Sequence, residues 1–581
     1  MFLVLIETSG NQNYIFSTNK LKENIGASEL TYRAGTTWVL EAVDKVNKST
    51  KLLSIFKNGE ELRDKLLDTK TLNPPIDTND NIKVELIVAT SGKALLLTKE
   101  EKTAKEIIQY VTLKALKKAP GLDICGVIHE FDWDKNDLGN INTEIHQKFA
   151  TVRSKRPAPD LRFLRLPMIA ECATSSLPAS ELDFDSENKS VISVVSSSKR
   201  HSSEKGLERI RELLKKEKPD VDFPGTIREL IEYLDNQQGI WLSVIHADGN
   251  GLGEIFLKFQ NFINNQNQNC AVDNRNYVDK LRQFSIALDI CTERAFILAL
   301  EAFKSTDNQE FATIIPLVLG GDDLTVVCDG KVALRFTQLF LNAFEKETHQ
   351  NQIISEIAKE ALKVPRLSAC AGIAIIKPKF PFSVAYELAE NLMQSAKDIK
   401  KKVTHPETGK PYPCSALDFH ILYDSSSVDF KSIRDKIEKK EENIVIQKLH
   451  NRPYVITSED DIKEANDLGW AKFHQFSKLE EKIKVLVAKD ENDGGKRKLP
   501  NGQMHDLKAG LYLGKKVADA RYRLIKDRYD KQNITILAGS EDSLFEKEPN
   551  SGIDITGLLD AIDAAEFLNV KDEKNEQKES T

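Results

Sequence analysis

The sequence predicts an α+β protein with two related sheet-and-helix domains, a connector between them and an α-helical C-terminal domain. Three observations predict it. Apolar runs of strand length alternate with helix-periodic stretches. The same order of elements recurs in the two halves. After about residue 426 strand signals thin out and Lys/Glu-rich helical patterns take over. A chain of 581 residues has room for about three or four domains.

The first copy opens with the apolar run at residues 2–6, which is too short and too poor in basic residues for a signal peptide. Helical periodicity follows through Tyr14, Ile15, Leu21, Ile25 and Leu30. Residues 84–89 and 94–97 flank Thr90-Ser91-Gly92-Lys93 and read as a tight hairpin. A helix over 104–118 and a strand over 124–128 complete the copy, giving a domain at 1–130. Residues 131–238 read as a connector, with a polar Ser-rich stretch at 196–203 and a basic helix over 204–218. In the second copy, 239–425, strand 241–245 leads into Asp248-Gly249-Asn250-Gly251. A helix over 279–303, strands 314–319 and 324–327 around Gly320-Gly321-Asp322-Asp323, strand 367–376 and a helix over 384–402 follow. Helices are expected over 461–468, 479–488 and 507–527 of a C-terminal domain at 426–570, and disorder over 571–581.

Composition narrows the function. Lys and Arg number 82 against 89 Asp and Glu, a net charge of −7, so the chain is no polycation made to coat nucleic acid. The 7 cysteines are scattered and none forms C-x-x-C, which points to a reducing, cytoplasmic compartment and to no zinc site. No apolar run is long enough to span a membrane.

Laid over each other, Val4–Asn11 matches Ser243–Asn250 in pattern, and Ile87–Ala94 matches Leu317–Leu324. In this alignment Ser9 stands where the second copy has Asp248, and Gly92-Lys93 where it has Asp322-Asp323. A cation in place of a carboxylate excludes a divalent-metal site by repulsion. Acidic chemistry is therefore kept in the second copy alone. There, Asp248, Asp322 and Asp323 can converge from a strand end and a neighbouring hairpin, offering hard oxygens suited to Mg²⁺ or Mn²⁺ with substrate phosphates. Gly249, Gly320 and Gly321 clear side chains where backbone must approach metal or nucleotide. Lys397 and Lys400, on the last helix, are placed to meet a triphosphate. Taken singly, G-G-D-D is also a good hairpin turn, the lysines also suit a solvated helix end, and His246 reads as a satisfied strand histidine. The set, in this order and in one domain, reads as catalytic.

These residues resemble the palm-type nucleotidyl cyclase and polymerase fold, and more closely the large polymerase-like subunit of type III CRISPR effector complexes. The resemblance rests on G-G-D-D at 320–323 against Thr90-Ser91-Gly92-Lys93, on the strand end at 246–253, on a helix carrying Gly26-Ala27-Ser28-Glu29-Leu30, and on a helix from Ala389 to Lys397. It implies two ferredoxin-like palm domains, the first degenerate. It implies a Mg²⁺- or Mn²⁺-dependent nucleotidyltransferase that joins ATP into cyclic oligoadenylate, or a cyclic dinucleotide, in antiviral defence. Asp248, Asp322 and Asp323 would hold the metals with the Gly249 carbonyl. Lys397 and Lys400 would meet the triphosphate, Ser28 would touch the nucleotide from the first palm, and Asn250, Gly320 and Gly321 would line its site. RNA and other effector subunits are the implied partners. With a palm strand at residue 2, no HD nuclease domain is expected, as in a reduced or stand-alone relative. Two other readings are a scaffold subunit with a vestigial palm, binding RNA or partner proteins, and a GTP-using enzyme of the diguanylate-cyclase kind.

Overall fold

In the computed structural model the described residues are 1–48, 53–183, 190–217, 221, 223–224, 227–235, 240–263, 269–303, 312–423, 429–442, 444–490, 496–529 and 533–568. The disorder expected over 571–581 lies outside them.

The first domain is a four-stranded sheet: β1 (Phe2–Ser9), β2 (Val84–Thr90), β3 (Lys93–Thr98) and β4 (Asp123–Glu130), in the order β2-β3-β1-β4 with every pair antiparallel. Its helices are α1 (Asn11–Phe16), α2 (Leu21–Gly35), α3 (Thr37–Val46), α4 (Gly59–Leu67), α5 (Glu101–Lys118) and α6 (Leu138–Ser154). The apolar run of β1 is continuous because both faces of the sheet are covered. Val4 and Ile6 pack with Ile25 and Leu30 of α2 and Ile107 of α5. Leu3 and Leu5 pack with Leu138 and Ile145 of α6.

The connector is more ordered than its composition suggests. After the hairpin β5 (Ala179–Leu182) and β6 (Val191–Ser193), α7 (Val194–Glu217) runs 24 residues, followed by α8 (Ile227–Asp235). The expected Ser-rich irregular stretch at 196–203 is thus the first half of α7. Tertiary packing overrides its weak helix propensity. The Ser193 hydroxyl accepts from the Ser196 N–H at 3.2 Å. Lys199 is buried and donates to the Tyr14 carbonyl. A Cβ on Gly26 of α2 would lie 1.6 Å from the Lys199 carbonyl oxygen, so glycine there permits the close α2–α7 crossing.

The second domain repeats the first. Strands β7 (Leu242–Gly249), β8 (Ile314–Gly320), β9 (Asp323–Asp329) and β10 (Ala369–Ile376) take the order β8-β9-β7-β10, again antiparallel throughout. Helices α9 (Leu252–Leu257), α10 (Cys270–Ala299), α11 (Gly330–Gln350), α12 (Gln352–Leu362) and α13 (Phe382–Ala396) surround it. The sheet is extended by β11 (Ala416–Ile421), parallel to β10, and by a later two-residue strand, Tyr454–Val455. A 3₁₀ turn, Lys397–Lys401, ends α13.

The C-terminal region packs helices α14 (Phe430–Ile437), α15 (Leu468–Phe473), α16 (Phe476–Val487), α17 (Asn501–Leu513), α18 (Lys515–Tyr529) and α19 (Leu558–Ala564) around a small four-stranded sheet unforeseen in the sequence. The helix expected over 461–468 is instead a 3₁₀ turn, Asp460–Ile462, followed by α15. Gly514, at φ 106°, splits the helix expected over 507–527 into α17 and α18.

Candidate active site

Register brings the carboxylates together. Along β7 and β9, His246 faces Thr325 and Ala247 faces Leu324, so the next pair is Asp248 and Asp323. Carboxylate oxygens of Asp248, Asp322 and Asp323 all lie within 4.8 Å of one another, the one such group of metal-ligating side chains among the described residues. Gly249 allows this. A Cβ there would come within 2.4 Å of Leu252 and 2.8 Å of the Asp322 carboxylate. The hairpin turn needs Gly321 at φ 64°, a left-handed conformation costly for other residues.

The three acids repel one another. Desolvation and the charge of Asp248 push the Asp322 carboxyl up to about 7. Desolvation, Asp322 and Asp248 push Asp323 well above the usual carboxylate range. Lys397 forms an ion pair with Asp248, a single cation against three acids. Hard carboxylate oxygens in excess of their cations fit Mg²⁺ or Mn²⁺.

Asp322 and Asp323 border a cleft of about 540 Å³ between the two domains, with Asp248, Gly249 and Lys397 set behind its wall. Its second-domain wall includes Gly320, Gly321, Asp322, Asp323 and Tyr386. Its first-domain wall includes Ser28 on α2 and Thr90–Lys93 of the hairpin. Lys400 lies one turn beyond Lys397. Burial and then the Lys397 charge depress its pKa, and it has no hydrogen bond to the three acids among the described residues. Asn250 is not at the cleft. Its amide donates to Ser368 Oγ at 3.0 Å and to the Cys414 carbonyl at 3.2 Å, tying the end of β7 to its neighbours. His246 is buried and hydrogen-bonded to Thr325 at 2.9 Å, and desolvation brings its pKa down to about 4.

The first copy is aligned differently from its sequence pattern. In β1 and β3 the residue opposite Lys93 is Glu7, and Lys93 takes the place of Asp323 in its hairpin. Glu7, not Ser9, is therefore the counterpart of Asp248. The shift is confirmed three positions further on. Gly10 and Gly251 both start a helix in the left-handed conformation, at φ 62° and 78°. One carboxylate thus survives in the first copy, with Lys93 3.4 Å from it and 2.9 Å from His146 Nε2.

Sequence reasoning missed what holds the turn. Asp289 and Thr292 on α10 grip both backbone groups of Gly321: its N–H donates to Asp289 Oδ1 at 2.9 Å, and its carbonyl accepts from Thr292 Oγ1 at 2.5 Å. No motif marks them, because they are paired with the turn through space.

Residues 241–404 match the family model of the Cas10/Cmr2 second palm domain. That segment resembles a Cas10/Cmr2 second palm domain. Strands β7 to β10, the GGDD turn and Lys397 all fall inside the matched segment, and the α+β architecture of two palm domains expected from the sequence stands. Among solved structures, the chain is similar to one of the type III-B Cmr-beta complex in the apo state, at 11% identity over 97% of this chain and 81% of that one, with a TM-score of 0.48. It is also similar to chains of the Csm1-Csm4 cassette in complex with AMPPNP (12% identity, 92% of this chain and 64% of that one, TM-score 0.43) and with cA4 (12%, 70% and 55%, TM-score 0.38). The chain spans about 55% to 64% of the length of those cassette chains. No curated protein matches the sequence. Among the described residues, no helix is long and apolar enough to cross a membrane.

Proposed function

We propose that this Cas10-like chain is a nucleotidyltransferase that joins ATP into cyclic oligoadenylate, working with RNA and other subunits of a type III CRISPR effector. The observation that carries the reading is the convergence of Asp248, Asp322 and Asp323, with Lys397, beside a cleft walled by both palms. Its volume of about 540 Å³ suits nucleotide ligands. The first palm has lost the acidic set but keeps a wall, so two nucleotides facing each other would be held by unlike surfaces.

Asp248, Asp322 and Asp323 would hold Mg²⁺ or Mn²⁺, which when bound neutralises phosphate charge and polarises the reacting groups. The chain's own residues orient the reaction. Asp289 and Thr292 hold the turn that carries Asp322 and Asp323. Gly249 lets Asp322 lie against β7. Lys397 is a fixed cation for the triphosphate, and Ser28 presents a hydroxyl from the opposite wall. In each addition an O3′–Pα bond forms as the bond from Pα to the leaving pyrophosphate breaks.

The test is product analysis by mass spectrometry after incubation with each NTP and Mg²⁺ or Mn²⁺, with and without RNA. Cyclic or linear oligoadenylate from the wild type, absent from an Asp322→Ala/Asp323→Ala variant, is the expected result. No product and no metal-dependent ATP binding in any condition would overturn the reading in favour of a scaffold subunit. Product from GTP alone would move it to the guanylate class.

A further inference from the structure

We infer that Arg63, on α4 of the first palm, is a positioning residue for the GGDD turn of the second, so that the degenerate palm sets the geometry of the active one. The inference rests on the function proposed above and concerns how that site is controlled.

The chain of contacts is short and continuous. Arg63 Nη1 donates to Asp289 Oδ2 at 2.8 Å, and Nη2 donates to Glu293 Oε2 at 2.7 Å. Asp289 uses its other oxygen, Oδ1, to accept the Gly321 N–H at 2.9 Å. One carboxylate therefore joins a first-palm guanidinium directly to the turn that carries Asp322 and Asp323. The fork of Arg63 spans two acids one helical turn apart on α10, which fixes the rotation of that helix as well as its distance. Arg63 is largely buried. Burial opposes its charge, yet Glu293 and Asp289 more than offset this and raise its pKa.

A cavity of about 240 Å³, lined by Arg63, Asp289, Glu293, Tyr32, Ser91 and Gly320, lies between the palms on this side of the turn. Beside it the turn is held by its hydrogen bonds to Asp289 and Thr292. The other end of α10 is anchored separately. Arg275 and Arg282 bond Glu85 of β2, and Arg282 Nε also donates to the Leu86 carbonyl at 3.0 Å. α10 is thus fastened to the first palm at one half and holds the turn with the other. A movement between the palms reaches the turn through Asp289.

The experiment compares the full-length wild type with Arg63→Ala, Arg63→Lys, Asp289→Ala and the Arg63→Ala/Asp289→Ala double variant. Turnover, ATP KM, Mn²⁺ affinity and Tm are measured for each. Misplacing the turn by about 1 Å costs roughly 10²-fold in rate. Arg63→Ala should lower kcat by about that factor with ATP KM nearly unchanged, and weaken Mn²⁺ binding by about tenfold. Arg63→Lys, which keeps the charge but loses the fork, should fall between. The double variant should lose less than the sum of the two single losses, because both residues reach the turn through their shared contact, while the bond from Arg63 to Glu293 is lost only with Arg63. Unchanged kcat and Mn²⁺ affinity in a folded Arg63→Ala protein would overturn the inference, as would additive losses in the double variant. If wild type itself makes no product, the proposed function fails. The brace is still judged by Mn²⁺ affinity, with Asp322→Ala as the reference for loss of a proposed ligand.

Discussion

Gly249 shows how little room the site leaves. Its missing Cβ is the space in which the Asp322 carboxylate rests. Gly249→Ala should displace Asp322 and reduce turnover by about 10²-fold, since rate is steep in ligand placement, while Tm changes little. A Mn²⁺ titration and a melting curve on the same sample check this. Lys93→Ala gives the opposite expectation. Lys93 is paired with Glu7 in a copy that lacks the other acids, so Mn²⁺ affinity should be unchanged, and a shift would mean that the first palm holds metal after all. The acids of the second copy are legible in the sequence because a turn and a strand end place them by local pattern. Glu7 is not. The shared Gly-Asn of residues 10–11 and 249–250 suggests one alignment, whereas the hydrogen-bond register, two residues away, is the physical one. Arg63 and Asp289, 226 positions apart, leave no local trace at all.

At the scale of elements, the connector helix α7 is the instructive case. Ser, Thr and Asn compete with helix formation locally, so 196–203 reads as loop. What decides is burial against α2 and a lysine that sits inside the contact. Desolvation brings the Lys199 pKa down to about 8, although Glu23 and Asp160 favour its charge. The sign follows from linkage. Between about pH 8 and the ordinary lysine value near 10.4, the unfolded chain holds a proton on this group that the native chain has released. Stability should therefore rise with pH across that window, by at most about 1.4 kcal/mol per unit from one proton. Urea melts of wild type and Lys199→Met at pH 7.5, 8.5 and 9.5 test it, and an equal slope in both would remove Lys199 as the cause. The repeat itself is legible at this scale. Both copies run strand, helices, hairpin, helix, strand, and α6 adds the helix after the last strand that α13 supplies in the second copy. The small C-terminal sheet is illegible because strands of two to five residues, such as Ile444–Lys448, carry too few apolar positions to show a period.

Across the whole molecule, two palms of unequal chemistry are joined by buried charge as well as by apolar packing. Glu85 is fully buried in β2 and is met by Arg275 at 2.7 Å and by Arg282, both from α10 of the other palm. Removing one partner of such a network leaves an uncompensated buried charge and costs about 3–5 kcal/mol. Glu85→Leu should accordingly destabilise the protein, by less than that figure, because Arg275 keeps Asp77 and Asp279 and Arg282 keeps Asp279. Glu85→Gln, which can still accept a hydrogen bond, should cost less. The loss should be cooperative. Since α10 also holds the GGDD turn, loosening its anchored half should let the palms part before either sheet unfolds. Hydrogen exchange should then report faster opening of α10 and of the turn at 320–323, with the strands β1 and β7 still protected. A Glu85→Leu protein in which all of these exchange together would show that the two palms unfold as one unit, and that the clamp adds stability without governing their separation.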